Sequence, residues 1–295
     1  MVLGMMPYPV KVLVKAFLSP RYYFRILTND ARAYFGLFSS KVHVIFIAGL
    51  PKSGTTWVEN FISNIPGYNP RVLTGSRELL RQHCLPTDAF SKIPKYGYSA
   101  IKTHTDPTNQ NIDVLVNNGV NKILVMYRDP RDVAISTYYY VLKNKPWEPS
   151  DWHYADYSEM SKEEGLSHSV EFVIDDCVPW IKGWIELAKN RQDIECKMLK
   201  YEDLLNNPIE TFHGILSFFE INLSEAEFDS VMHAIEEGKE KKEEAALMLP
   251  GKKTTKRKGV VGEWRNELNF EQKRIMKEAA GDLLVELGYE DNFGW

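Results

Sequence analysis

Cysteine is scarce in this chain of 295 residues: Cys84, Cys177 and Cys196 are all it has. Their odd number and lack of metal-type spacing argue against a disulfide framework and fit a reducing compartment, with the cytoplasm as the expected location. Long apolar runs are missing as well. None approaches the ~20 residues that span a bilayer, and the first residues show no signal-peptide pattern of basic start, apolar core and small-residue cleavage site. Export is not expected. Internal repeats and low-complexity tracts are absent, which leaves a conventional globular chain. Nor is there an excess of positive charge, since 36 Lys and Arg face 40 Asp and Glu for a net charge of −4. Nucleic acid is therefore not an expected partner, and any anion site must be local.

What is present points to an α/β chain. Hydrophobic residues at 44% and charged residues at 26% leave no room for wholesale disorder. The length would allow two average domains, but α/β folds of this size often share one large core, so a single domain over residues 1–295 is expected. Residues 42–48 form a short β-branched run that stops at a Gly and Pro cluster, and helical spacing follows over 55–65. Runs at 97–102, 122–127 and 194–199 read as further buried strands of one central parallel sheet flanked by helices. Helices are expected over 130–143, 169–191, 209–219, 224–237 and 271–287. Residues 238–262, rich in Lys, Glu and Gly, are expected to form a mobile loop over a ligand. Within the first 40 residues, the stretch 7–27 mixes Lys11, Lys15, Arg21 and Arg25 with bulky apolar residues. That suits either a membrane surface or an N-terminal helix packed on the core, and the packed helix is preferred.

The stretch AGLPKSGTTW, residues 48–57, lies between the first strand and its helix and resembles a phosphate loop. In nucleoside-triphosphatases two glycines of this spacing are followed at once by Lys, then Ser or Thr, while backbone amides wrap a phosphate. Gly49 and Gly54 keep the spacing, but Thr55 stands where that lysine belongs. The only lysine of the loop, Lys52, lies before the second glycine. It points at a different oxygen of a shorter anion, so Mg-ATP is not the expected ligand. The loop amides and the helix N-terminus still favour a dianionic phosphate.

Three more stretches carry chemistry. In residues 122–140, Arg128 ends a strand and Ser136 lies beyond it on a helix, both within reach of the crevice where open parallel sheets bind ligands. The planar fork of Arg128 suits a second phosphate, although it could equally pair with Asp129 to cap the strand. In residues 100–104, Lys102 and His104 end another strand at the same crevice, where a neutral imidazole can accept a proton. In residues 252–264, a basic run is followed by two glycines and Trp264. A solvated charge run is the plain reading; the glycines suggest a loop closing over an anion, with Arg257, Lys258 and the Gly259 amide as donors.

Together these stretches resemble the cytosolic-type sulfotransferase family that uses 3'-phosphoadenosine-5'-phosphosulfate (PAPS). Its signatures are a PKSGTTW loop, an arginine and serine pair, and an RKGxxGDW segment. The likeness runs in order over roughly residues 42–266, with Glu263 for the usual Asp and Arg265 for a frequent Lys. It implies a P-loop-like sheet and transfer of a sulfuryl group to a hydroxyl or amine of a small acceptor, with PAP as product and no metal. By resemblance, Lys52, Ser53, Gly54, Thr55 and Thr56 would hold the 5'-phosphosulfate, and Trp57 would stack near the adenine. Arg128, Ser136, Arg257, Lys258 and Gly259 would hold the 3'-phosphate, and Tyr201 of YEDL would approach the adenine. His104 would act as general base with Lys102 assisting, while Lys52 meets the charge on the leaving oxygen.

The family pattern is not followed throughout. Ala234, Ile235 and Glu236 stand where relatives often place Thr, Ser and Phe near the adenine. The short dimer motif is not evident in residues 265–274, so the oligomeric state stays open. Aromatic residues Tyr138, Tyr139, Tyr140, Trp147, Trp152, Tyr154 and Tyr157 suit either an apolar acceptor pocket or core packing. The pocket reading implies an apolar or aromatic alcohol. Two other functions remain: a P-loop kinase, argued from Gly49, Gly54 and Thr56, and a non-catalytic module that binds adenosine bisphosphate.

Overall fold

All four expected strands form, and a fifth joins them. The structure, a computed structural model, describes residues 20–74, 83–95, 97–144, 157–248 and 259–295. The strands are β1 (Val44–Gly49), β2 (Tyr68–Arg71), β3 (Tyr98–Thr103), β4 (Lys122–Tyr127) and β5 (Glu195–Lys200). They pair in parallel in the order β2-β3-β1-β4-β5. The central strands are apolar at successive positions because both faces of the sheet are covered. Phe46 and Ala48 of β1 enter one core and Ile45 and Ile47 the other.

Helices α1 (Pro20–Tyr34) and α2 (Thr55–Asn64) lead into and out of β1, and α3 (Asn109–Asn117) follows β3. Helix α4 (Pro130–Asn144) follows β4. Val58, Phe61 and Ile62 of α2 join the core of Ile45 and Ile47, whereas Val133, Ala134 and Ile135 of α4 join that of Phe46. The two helices therefore cover opposite faces. The chain leaves β1 toward one edge and β4 toward the other, which makes their carboxyl ends a topological switch point, the place where open sheets bind ligands.

The expected helix over 169–191 is interrupted. Helix α5 (Lys162–Phe172) begins earlier, at a capping box in which Ser161 Oγ accepts from the Glu164 amide and Glu164 accepts from the Ser161 amide. A π-helical turn, Val173–Cys177, then leads into α6 (Val178–Asn190). Pro179 explains the turn, because it has no amide to donate and its ring crowds the carbonyl four residues back.

Beyond β5 come α7 (Tyr201–Asn206), α8 (Pro208–Phe218) and α9 (Glu225–Met248). Helix α9 runs well past residue 237 into the segment read as a mobile loop. The run EEGKEKKEEAALM is rich in helix formers, and that propensity outweighs Gly238. Helices α10 (Trp264–Glu267) and α11 (Phe270–Glu286) complete the chain. Strand β2 was not expected: it has four residues, contains Pro70 and sits at the sheet edge, the position a proline tolerates.

Candidate active site at the carboxyl end of the sheet

The loop from Leu50 to Gly54 is held by its own backbone and by β4. Ser53 is fully buried; its Oγ donates to the Leu50 carbonyl at 2.6 Å and lies 3.3 Å from that of Met126. Lys52 and Gly54 both take left-handed backbone angles, with φ of 70° and 79°. Such turns aim successive amides into one concavity. Helix α2 starts at Gly54 with no side-chain cap, so its first amides face the same space. Both glycines are sterically required. A Cβ at Gly49 would lie 1.9 Å from Thr55 Cγ2, and one at Gly54 would lie 2.8 Å from the Tyr201 ring.

Lys52 Nζ sits 4.1 Å from the centroid of the Tyr140 ring. Burial, with the Arg128 charge adding to it, brings its ammonium down from 10.5 to about 8. A half-buried cation seated over an aromatic ring is poised for an anion. Lys102 is placed differently: its Nζ donates to Thr56 Oγ1 at 3.1 Å and pairs with Glu59 at 3.1 Å.

His104 follows β3, and its Nδ1 lies 2.5 Å from the Gly49 carbonyl oxygen. A carbonyl only accepts, so Nδ1 carries the proton and Nε2 keeps its lone pair. Burial is the main cause that lowers the imidazole from 6.5 to about 4, with His83 and Lys102 pushing the same way against the Gly49 bond. The ring is therefore neutral at physiological pH. Its loop is pinned from behind, where Trp180 and Trp184 of α6 donate their indole N–H to the Thr105 carbonyl at 3.0 and 3.3 Å.

Across the crevice Arg128 is nearly buried at the end of β4. It donates to the Val260 carbonyl at 3.0 Å, lies 3.7 Å from Asp132 and stacks over Tyr201 at 4.5 Å. Its Nε is buried with no hydrogen-bond partner, a state that an oxyanion would relieve. The site thus combines an amide cradle, a half-buried lysine, a buried arginine and a neutral imidazole within one crevice.

A family model described as a sulfotransferase domain matches residues 43–288. The chain belongs to the sulfotransferase family. It is similar to sulfotransferase 1B1 of Canis lupus familiaris, with 26% identity over 84% of this chain and 87% of that protein. It also resembles the amine sulfotransferase of Oryctolagus cuniculus, at 24% identity over 84% of each. In fold it matches the crystal structure of mouse sulfotransferase SULT7A1 complexed with PAP. That match has a TM-score of 0.58 at 20% identity and covers 87% of this chain and 89% of the other. Sulfuryl transfer is its chemistry.

In this sulfotransferase the expected residues Lys52, Ser53, Gly54, Thr55, Thr56, Lys102, His104, Arg128 and Tyr201 all lie at the carboxyl ends of β1, β3, β4 and β5. Trp57 turns its edge to Phe212, with centroids 6.0 Å apart. Ser136 is half-buried on α4. Arg257 and Lys258 lie outside the described residues, as do Trp147, Trp152 and Tyr154. Gly259 has φ of 66°, as a tight turn requires. Tyr138 and Tyr157 belong to the core, where their rings stack at 5.7 Å.

Several residues of the site escaped sequence reasoning. Asp132 accepts from the amides of Gly262 at 2.6 Å and Trp264 at 3.2 Å, tying the closing segment to β4. Glu202 accepts from the Asp129 amide at 3.1 Å and from the Tyr289 hydroxyl at 2.8 Å. Glu59 pairs with Lys102, while Tyr140, which the sequence offered only as acceptor pocket or core, lies beside Lys52. Only the acidic residues near RDPRD and YEDL offered a signal, and nothing local told which backbone they would meet.

Proposed function

We propose that this sulfotransferase takes PAPS as donor and transfers its sulfuryl group to a hydroxyl or amine of a small, apolar or aromatic acceptor, releasing PAP. The observation that carries this reading is the position of Lys52. It is a half-buried cation before the second glycine, on a left-handed residue of an amide cradle, with Thr55 where a triphosphate-binding lysine belongs. The partnerless Nε of Arg128 supports a second phosphate opposite the first. Lys52, Ser53, Gly54, Thr55 and Thr56 would hold the phosphosulfate, and Trp57 and Tyr201 would flank the adenine. Arg128, Ser136, Arg257, Lys258 and Gly259 would hold the 3'-phosphate. The SULT7A1 structure named above contains PAP, which supports the same reading.

In this reading the acceptor oxygen attacks sulfur in line with the departing phosphate oxygen. One S–O bond forms as the other breaks, and negative charge grows on the leaving oxygen. Lys52 meets that charge. His104 Nε2 takes the acceptor proton, its other nitrogen fixed on Gly49, and Lys102 orients Thr56 beside it. Tyr140, half-buried beside Lys52, supports an apolar acceptor, and the relatives named for amines and 3-alpha-hydroxysteroids keep alcohols and amines in view. The reducing setting suggested by three free thiols supports a cytoplasmic location.

Calorimetry tests the donor directly. PAP should bind without magnesium, and Mg-ATP should bind at least a hundredfold more weakly. Tight Mg-ATP uptake with indifference to PAP would restore the kinase reading.

A further inference from the structure

Residues 289–295 lie beyond the stretch 43–288 that the sulfotransferase-domain model matches, yet they reach the end of β4 where Arg128 stands. After α11 the chain turns back, with the amides of Tyr289 and Glu290 donating to the Leu284 carbonyl at 2.8 and 3.3 Å. Three side chains then make contact. The Tyr289 hydroxyl donates to one oxygen of Glu202 at 2.8 Å, and the other oxygen of that carboxylate accepts from the Asp129 amide at 3.1 Å. Glu290 accepts from Arg131 at 2.5 Å. Trp295 and Trp264 place their rings 4.4 and 3.8 Å from the same guanidinium and meet each other edge to face at 5.4 Å. Arg131 is 1% exposed, and Asp129 accepts from its Nε and Nη2 at 3.0 and 2.8 Å. Trp264 opens α10 directly after the closing segment, whose Val260 carbonyl is held by Arg128. One cluster therefore joins the last turn of the chain, the turn that carries Arg128 and the segment that follows Gly259.

We propose that Tyr289, Glu290 and Trp295 are positioning residues for the donor, holding the Arg128 turn and the segment from Gly259 in the register that receives the 3'-phosphate. They act through Glu202, Arg131 and Trp264, and the inference rests on the donor contacts proposed above. A buried guanidinium is stable only with its charge met and its surroundings closed to water. Opening the Trp295 side admits water to Arg131 and takes from Trp264 the ring that its own indole packs on. The closing segment then loses its backing, and the donor must order that segment as it binds, which lowers affinity. Lys52 and His104 stand on other strands, so the chemical step is spared. A turn that only closed the core would instead lower stability and every kinetic constant together.

Calorimetry with PAP and steady-state kinetics on the full chain test this. In Trp295→Ala the Kd for PAP and the KM for PAPS should rise about tenfold, while kcat and the KM for the acceptor stay near those of the parent. Trp295→Phe, which keeps a ring against Arg131, should restore most of the affinity. Tyr289→Phe removes only the hydroxyl on Glu202 and should weaken PAP about threefold to fivefold. Parental PAP affinity in Trp295→Ala or in Tyr289→Phe would overturn the proposal. So would a parallel loss of kcat, of both KM values and of Tm, the mark of a turn that only closes the core. Arg128→Ala separates the two readings: if it loses PAP while Trp295→Ala does not, this inference alone falls, and if it binds PAP like the parent, the donor contacts beneath it fall as well.

Discussion

Lys52 and His104 are each moved off their ordinary titration range by burial, in the direction their proposed roles require. A half-buried ammonium at about 8 remains charged at neutral pH and loses its proton as pH rises through that value. A buried imidazole at about 4 remains neutral until pH falls to that value. The two signs together predict a bell for kcat/KM, which reports the free enzyme. Its acid limb should fall near pH 4 as His104 charges, and its alkaline limb near pH 8 as Lys52 is neutralised. His104→Ala should lower kcat by about 10² to 10⁴ and remove the acid limb while PAP still binds. Turnover close to that of the parent would take the base role from His104. Lys52 and His104 were both legible in the sequence as residues, but their protonation states were not. Those depend on burial in the crevice, the Arg128 charge and the Gly49 carbonyl.

At the scale of elements, the closing segment after residue 258 is gripped by the end of β4. Asp132 holds two of its amides, Arg128 holds the Val260 carbonyl, and Arg131 lies between the rings of Trp264 and Trp295 at 3.8 and 4.4 Å. Asp132 is 1% exposed, and burial pushes its carboxyl up while the amides and Arg128 pull it back. Asp132→Ala leaves those partners uncompensated. It should cost about 2–4 kcal/mol in denaturant unfolding and weaken PAP binding about tenfold, while His104→Ala leaves that affinity intact. A variant with parental stability and affinity would detach the segment from the site. Sequence patterns located the strands here to within two residues, since a doubly covered strand advertises itself as a continuous apolar run. They missed β2, too short and proline-bearing to register, and the break near Pro179, where the helical pattern continues on both sides of a local slip.

The molecule as a whole places its ligand crevice between parts far apart in sequence: the loop after β1, the ends of β3 and β4, Tyr201 after β5 and the segment from Gly259. A ligand that bridges them should stabilise the entire fold. At about a hundred times its Kd, PAP should add ~2.7 kcal/mol, raising Tm by roughly 5–10 °C for a chain of this size. Arg128→Ala should remove most of that rise, and EDTA should change neither the rise nor turnover. A Tm that responds to EDTA, or a full shift in the Arg128 variant, would contradict the assigned donor contacts.

The sequence by itself determined the architecture and the class of chemistry. Apolar runs and the strand-to-helix rhythm are local signals, and the glycine spacing with Lys52 inside it encodes a backbone shape that needs few distant partners. Only the tertiary structure decided which groups complete the site. Asp132, Glu59, Tyr140 and Glu202 act through neighbours as many as 132 positions away, and contacts across such separations leave no pattern in the chain.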